Sequence, residues 1–440
     1  MGIRFYFPII FAILSLNGSE AVHASEIHDE FTKNFSDTTL RLDYIFGGIV
    51  NGDGKAECYV MVDGLSRQPG WAGRRHRMSE LPLAGNGQIT MTDAATGDTI
   101  YRTSFSTLFQ EWLTTDEAKS TPRAFENTFL APMPRHMADV RVDLLDSRHR
   151  PVASIVHRVN PDDILIKDTE GITPVPHRYL HKGGDPKDAI DVAILAEGYT
   201  ETEMDSFYRH AQNAVDAILS YVPFKEHAGD FNFVAVASPS AESGVSIPRL
   251  NQWRDTAMGS NFSTFYSDRY LTTGNVKAVH DLLTGIPYEH IIILANTDEY
   301  GGGGIYNSYT LTTARHENFK PVVVHEFGHS FGGLADEYFY DNDDISTSDY
   351  HAGIEPWEPN ITTLADFGKK WEDMLKAGTP VPTPSADAQL YPTGVYEGGG
   401  YVSKGVYRPA DECRMRNNTY PTFCPVCERA IDRLIRFYTD

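Results

Sequence analysis

The segment His325-Glu326-Phe327-Gly328-His329 carries two imidazoles and a carboxylate at a spacing that can hold and use a metal ion. Residues four apart on an α-helix share one face, separated by about 40° around the axis. His325 and His329 can therefore converge on a single ion. Glu326, one position on, reaches beside that ion rather than onto it. A base belongs there if it is to take a proton from water held by zinc. The bland alternative is a helix with two surface histidines and an unrelated glutamate. Its surroundings argue against that. Pro321 suits a first helical turn, and Val322-Val323-Val324 leads into the motif. Val324, Phe327 and Phe331 can anchor the far side, and Gly332-Gly333 can turn the chain back.

A catalytic zinc takes three protein ligands and keeps one position open. In the metzincin register the third ligand falls on Ala335, which cannot bind. Asp336, one residue further, is the expected third ligand, with Glu337 as the alternative. A glutamate from a later helix, such as Glu358, is a further option. Downstream, Cys413-Arg414-Met415-Arg416-Asn417 looks like a Met-turn, which sets a methionine beneath the zinc. Tyr338, Tyr407 and Tyr420 are conceivable oxyanion donors, although core packing suits each of them better. The run Asp341-Asn342-Asp343-Asp344 could hold calcium but lacks EF-hand spacing, so a solvated loop is the better reading.

The motif needs a scaffold, and the chain of 440 residues is long enough for two domains. From about residue 40 to 165 it reads as short alternating strands. These are Glu57 to Asp63 (Cys58, Val60 and Val62 on one face), Gln88 to Thr92, Thr99 to Thr103, Val140 to Leu145 and Val152 to Val159. Turns such as Asp93-Ala94-Ala95-Thr96-Gly97-Asp98 join them, which indicates an antiparallel β-sandwich. Glycines and prolines crowd residues 168–188, the expected linker. Beyond it, strands at Val192 to Leu195, Phe231 to Ala237 and His290 to Ala295 alternate with helical patterns. One helix opens at a Thr200/Glu203 capping box and another spans Val276 to Leu283. This is an α/β (α+β) catalytic domain, expected over 189–440. The run Gly301-Gly302-Gly303-Gly304 lacks the spacing of a phosphate loop and reads as a mobile loop beside an edge strand.

Arg4, the apolar stretch Phe5 to Leu16 and Val22-His23-Ala24 read as a signal peptide cleaved near Ala24. The sandwich domain then occupies 25–167, and the mature chain is secreted or periplasmic. No later segment is long and apolar enough for a membrane helix, so no integral membrane span is expected. A formal charge of −22 argues against nucleic-acid or anionic-membrane partners. The basic clusters Arg74-Arg75-His76-Arg77 and Arg148-His149-Arg150 read as solvated turns. Of the four cysteines, Cys413, Cys424 and Cys427 lie close together, and a local bridge from Cys413 to one of the other two is expected. Cys424-Pro425-Val426-Cys427 resembles half a zinc ribbon, but no second such pair exists, so the role is taken as structural.

The run from His325 to Tyr338, the Cys413-Arg414-Met415 turn and the Cys424-Pro425-Val426-Cys427 tail together resemble the IgA-peptidase family of bacterial metallopeptidases, the igalysins. A strand-rich N-terminal region before an α/β domain is similar to that family's layout. The resemblance implies a metzincin-like zincin fold, zinc at His325, His329 and an acidic residue, and Glu326 as general base. It also implies a protein or peptide substrate, with host immunoglobulin or another glycoprotein as the class. Two other readings keep the same sequence features. One is a zinc amidase acting on cell-wall peptides or glycans; the other is a catalytically inert surface protein that binds glycoproteins.

Overall fold

The computed structural model describes residues 31–344 and 350–440. The expected signal peptide, and the Asp341 to Asp344 side chains with their calcium reading, lie outside the described residues.

Two four-stranded sheets face one another across a single apolar core in the N-terminal region. One sheet orders Arg123–Pro134, Phe35–Val50, Ala56–Pro69 and Lys167–Asp168; the other orders Thr99–Phe105, Gly87–Asp93, Ala138–Leu145 and Pro151–Val159. Phe105 and Phe129 pack between them, tilted, with ring centroids 4.3 Å apart. The sandwich expected from the alternating segments is present. Its turns form for local reasons. Asp93 Oδ1 accepts from the Ala95 and Thr96 N–H groups, and Gly97 adopts φ +78° to close the hairpin. The pairing from Glu57 to Val62 is regular, with Cys58, Val60 and Val62 on one face as expected, and the register shifts only at Asp63, between Asp43 and Tyr44. Val62 pairs with Tyr44 on the same face as Val60 but, next to the shift, is exposed while Val60 is buried.

Arg74 does not sit in a solvated turn. It is buried, donates to the carbonyls of His76, Glu80 and other residues, and lies 5.0 Å from the Phe437 ring. Backbone oxygens satisfy the guanidinium, which makes its burial tolerable.

The second region is built on a six-stranded sheet in the order Gly302–Ile305, Tyr309–Thr313, His290–Ala295, Ile190–Glu197, Phe231–Val236, His177–Lys182. The four inner strands run parallel and both outer strands antiparallel. Successive side chains point to opposite faces. Val192 and Ile194 thus join the core beneath helices Met204–Ile218, Phe319–Ser330 and Pro425–Thr439, while Ala193 and Leu195 join the core beneath Val276–Leu282. Burial on both faces explains why these strands read as unbroken apolar runs. The edge strand His177–Lys182 lies inside the segment read as linker, and its mostly exposed side chains hide it from a hydrophobic pattern. The capping box is present, with the Thr200 N–H donating to Glu203 Oε2 at 2.9 Å. A small sheet orders Phe339–Asp344, Tyr401–Arg408 and Tyr396–Gly399, and its Tyr401 reaches Asp336. No described helix is long and apolar enough to cross a membrane.

Candidate active site

The motif occupies the last two turns of the helix Phe319–Ser330, whose Val323, Val324 and Phe327 are fully buried. Phe327 stacks on Phe331 at 5.2 Å, fixing the helix against the sheet with its histidines turned outward. Gly333, at φ +59°, reverses the chain after the helix, and its N–H donates to the His329 carbonyl at 3.0 Å. The reversal carries Asp336 back over the histidines.

There the three groups meet. His325 Nε2 and His329 Nε2 are 3.0 Å apart, and Asp336 Oδ1 lies 3.0 Å from the first and 3.3 Å from the second. His325 Nδ1 donates to the Arg414 carbonyl at 3.1 Å, and His329 Nδ1 donates to the Leu334 carbonyl at 2.5 Å. A carbonyl can only accept, so each Nδ1 carries a proton and each Nε2 is the nitrogen that points inward, free to offer a lone pair to a metal. Two ring nitrogens and a carboxylate oxygen at such distances need a proton or a metal cation among them. Tetrahedral ligands about 2.0–2.1 Å from zinc stand about 3.3 Å from one another, close to this triangle. The donor set fits a zinc ion.

The electrostatics agree. Burial lifts the Glu326 carboxyl above its ordinary value, partly offset by the two imidazoles. Burial would depress His329, but the Asp336 carboxylate outweighs it and pushes His329 up to about 9. Burial also opposes ionisation of Asp336, yet His329 and His325 hold it far below the usual carboxylate range. The centre demands positive charge, supplied by protons or by a metal.

Glu326 joins the histidines as a third potential donor within 4.8 Å, beside the triangle of inward atoms. The glycine run sits against it as the edge strand Gly302–Ile305, not as a loop. A Cβ on Gly302 would lie 2.8 Å from Glu326 Oε1, and one on Gly304 would lie 2.3 Å from the Glu326 carbonyl oxygen. Glycine is required because the strand backbone lies against both the side chain and the backbone of Glu326.

The alternatives to Asp336 point elsewhere. Glu337 turns to the opposite side, where its Oε1 accepts from Asn360 Nδ2 at 2.9 Å. Glu358 lines the same cleft but accepts from Tyr350 at 3.3 Å. Met415 is fully buried with its sulfur directly beneath Gly328, in a turn closed by Arg416 N–H donating to the Cys413 carbonyl at 3.0 Å. Of the three tyrosines considered, Tyr338 lines the cleft; Tyr407 pairs with Thr362, and neither it nor Tyr420 is part of the lining. Tyr401, which sequence reasoning missed, donates to Asp336 Oδ2 at 2.5 Å.

The sequence matches the family described as IgA Peptidase M64 over residues 179–393 and 390–435, and the Peptidase M64 N-terminus over residues 30–155. The chain belongs to the IgA peptidase M64 family. Among curated proteins there is no match. Membership makes this protein a peptidase and so gives it a protein or peptide substrate. Its cleft, about 1470 Å³, is lined in part by Gln110, Glu111 and Thr114 of the N-terminal region. The glycine strand, Tyr338 and Trp357 also line it. The M64 N-terminal region thus shapes the trough in which a substrate would lie.

Proposed function

We propose that this M64 peptidase is a secreted, zinc-dependent endopeptidase of zincin type, with His325, His329 and Asp336 as metal ligands and Glu326 as general base. One observation carries the reading. Two Nε2 atoms, each with its Nδ1 committed to a carbonyl, share one Asp336 oxygen within 3.3 Å, with Glu326 alongside. A bound zinc would supply Lewis acidity toward the scissile carbonyl and make nearby water more acidic. Glu326 takes the proton of the attacking water and returns it to the leaving amine, a role suited to a carboxyl whose proton affinity burial has raised. Met415 beneath the motif helix and an antiparallel edge strand beside it support a metzincin-like arrangement. The open trough favours an internal segment of a protein over a cell-wall amide, and family membership favours the peptidase over an inert binder. We assign residues 1–24 to export, 25–168 to the sandwich domain, 169–176 to the connection and 177–440 to catalysis, because the strand His177–Lys182 belongs to the catalytic sheet. Host immunoglobulin A, or another glycoprotein, is the substrate class the family description suggests.

The deciding comparison is Glu326→Gln against wild type, with metal content and cleavage-site profiles measured on both. Unchanged metal content with turnover lower by about 10²–10⁴-fold is expected. Cleavage at the wild-type rate would remove Glu326 from the mechanism. Loss of metal would recast it as a ligand.

A further inference from the structure

Behind the catalytic centre lies a second group of donors. Glu337, Cys413, Cys424 and Cys427 are all buried, and one ligand atom from each lies within 4.8 Å of the others. Three independent segments bring them together. Glu337 follows Asp336 after the glycine turn, Cys413 opens the turn that carries Met415, and Cys424 and Cys427 begin the helix Pro425–Thr439.

The spacing is wrong for a disulfide. Cys413 Sγ and Cys427 Sγ are 3.8 Å apart, whereas a bond needs about 2.05 Å. The local bridge expected from the sequence is therefore not formed, and every described cysteine is a free thiol. A separation of about 3.8 Å is what two thiolates show when each binds one tetrahedral zinc at about 2.3 Å. The Cys424 N–H donates to Cys413 Sγ at 3.2 Å, the kind of backbone support that orients a ligating sulfur. Glu337 adds an independent sign. It is completely buried, its Oε1 accepts from Cys427 Sγ at 3.1 Å, and its Oε2 has no hydrogen-bond partner among the described residues. A buried carboxylate oxygen without a partner is costly, and a cation removes that cost.

We propose that Cys413, Cys424, Cys427 and Glu337 form a second, structural metal site for a thiolate-binding divalent cation, zinc by its ligand set. The three thiols lose their protons on binding, and each sulfur donates an electron pair to the ion. All four positions are filled by protein, so the site is closed to substrate and serves structure alone. It ties the C-terminal helix to the segment presenting Asp336. The half-ribbon of Cys424 and Cys427 is completed by the nearby Cys413 and by Glu337, which is remote in sequence.

The test uses the full chain with the catalytic centre disabled, as His325→Ala/His329→Ala. About one zinc per chain is expected to remain, with zinc-edge X-ray absorption showing sulfur neighbours at about 2.3 Å. Adding Cys424→Ser/Cys427→Ser should remove that zinc. Because the absorption spectrum is read on a protein with its cysteines intact, the result does not depend on the serine variant folding. A His-to-Ala protein without zinc overturns the proposal, as does a non-reducing mass one pair of hydrogens lower than that of the thiol form. Wild type and this variant holding equal zinc, all of it sulfur-bound, would instead overturn the catalytic assignment and leave this site standing.

Discussion

The Tyr401 hydroxyl donates to Asp336 Oδ2 at 2.5 Å, so Oδ1 alone faces the two imidazoles. The tyrosine thereby selects which carboxylate oxygen the centre sees. The Gly400 N–H, donating to the Asp336 carbonyl at 2.8 Å, holds the same residue from its backbone side. Tyr401→Phe should leave the fold intact and free the carboxylate to rotate. Metal affinity is expected to fall about 10–100-fold, the usual cost of losing a partner that orients a ligand. Competition against a chromophoric chelator measures this, and an unchanged affinity would show that the helix turn alone fixes Asp336.

Gly304 tests how tightly the edge strand must sit on the motif helix. Its Cβ would lie 2.3 Å from the Glu326 carbonyl oxygen and 2.8 Å from His329 Cβ, neither of which is a flexible end. Gly304→Ala must therefore push strand and helix apart. A destabilisation of about 1–3 kcal/mol is expected, as for an overpacked core, with a larger fractional loss of turnover because Glu326 and His329 both move. Gly52→Ala, at a turn with open space around it, is the control. Equal effects of the two substitutions on the denaturation midpoint and on turnover would contradict the close-packing argument.

These residues also show how far the sequence could be read. His325, Glu326 and His329 are legible because a single helix sets their geometry, and Asp336 follows from a short count past the glycine turn. Tyr401 lies 65 residues from Asp336, and no local pattern announces the pairing. The three clustered cysteines are legible as a group, but Glu337, 90 residues from Cys427, reaches them only through the tertiary fold. The glycine run is misread because glycine signals a loop by its freedom, whereas here its value is the missing side chain beside Glu326. The strand His177–Lys182 is invisible to hydrophobic periodicity because sheet pairing, not burial, holds it in place.

Met415 supplies a prediction about packing rather than chemistry. Its sulfur would lie 2.8 Å from a Cβ placed on Gly328, so it fills the space under the helix between the two histidines. Met415→Ala leaves a cavity there and should cost about 2–5 kcal/mol. Met415→Leu, similar in volume, should cost less than about 1.5 kcal/mol and keep most of the activity. Chemical denaturation of both variants checks the ordering. If leucine proved as damaging as alanine, the methionine would be needed for its sulfur rather than its volume.

His227 offers a pH-dependent test of how the C-terminal helix is anchored. Its Nδ1 lies 2.6 Å from Asp230 Oδ2 and its Nε2 lies 2.9 Å from Asp432 Oδ1, on the helix Pro425–Thr439. Burial disfavours the charged ring, but the bonds to Asp230 and Asp432 outweigh it and raise its proton affinity. The folded state therefore holds the proton more tightly than the unfolded chain. Its stabilisation is fully present below the unfolded value of about 6.5 and is lost as pH rises through the higher folded value. His227→Gln should accordingly lower the melting temperature more at about pH 5.5 than at about pH 9. Melting curves of both proteins at the two pH values decide it. A gap that stayed constant or widened with rising pH would mean that the ring serves as a neutral hydrogen-bonding spacer and that its charge contributes nothing to holding the helix.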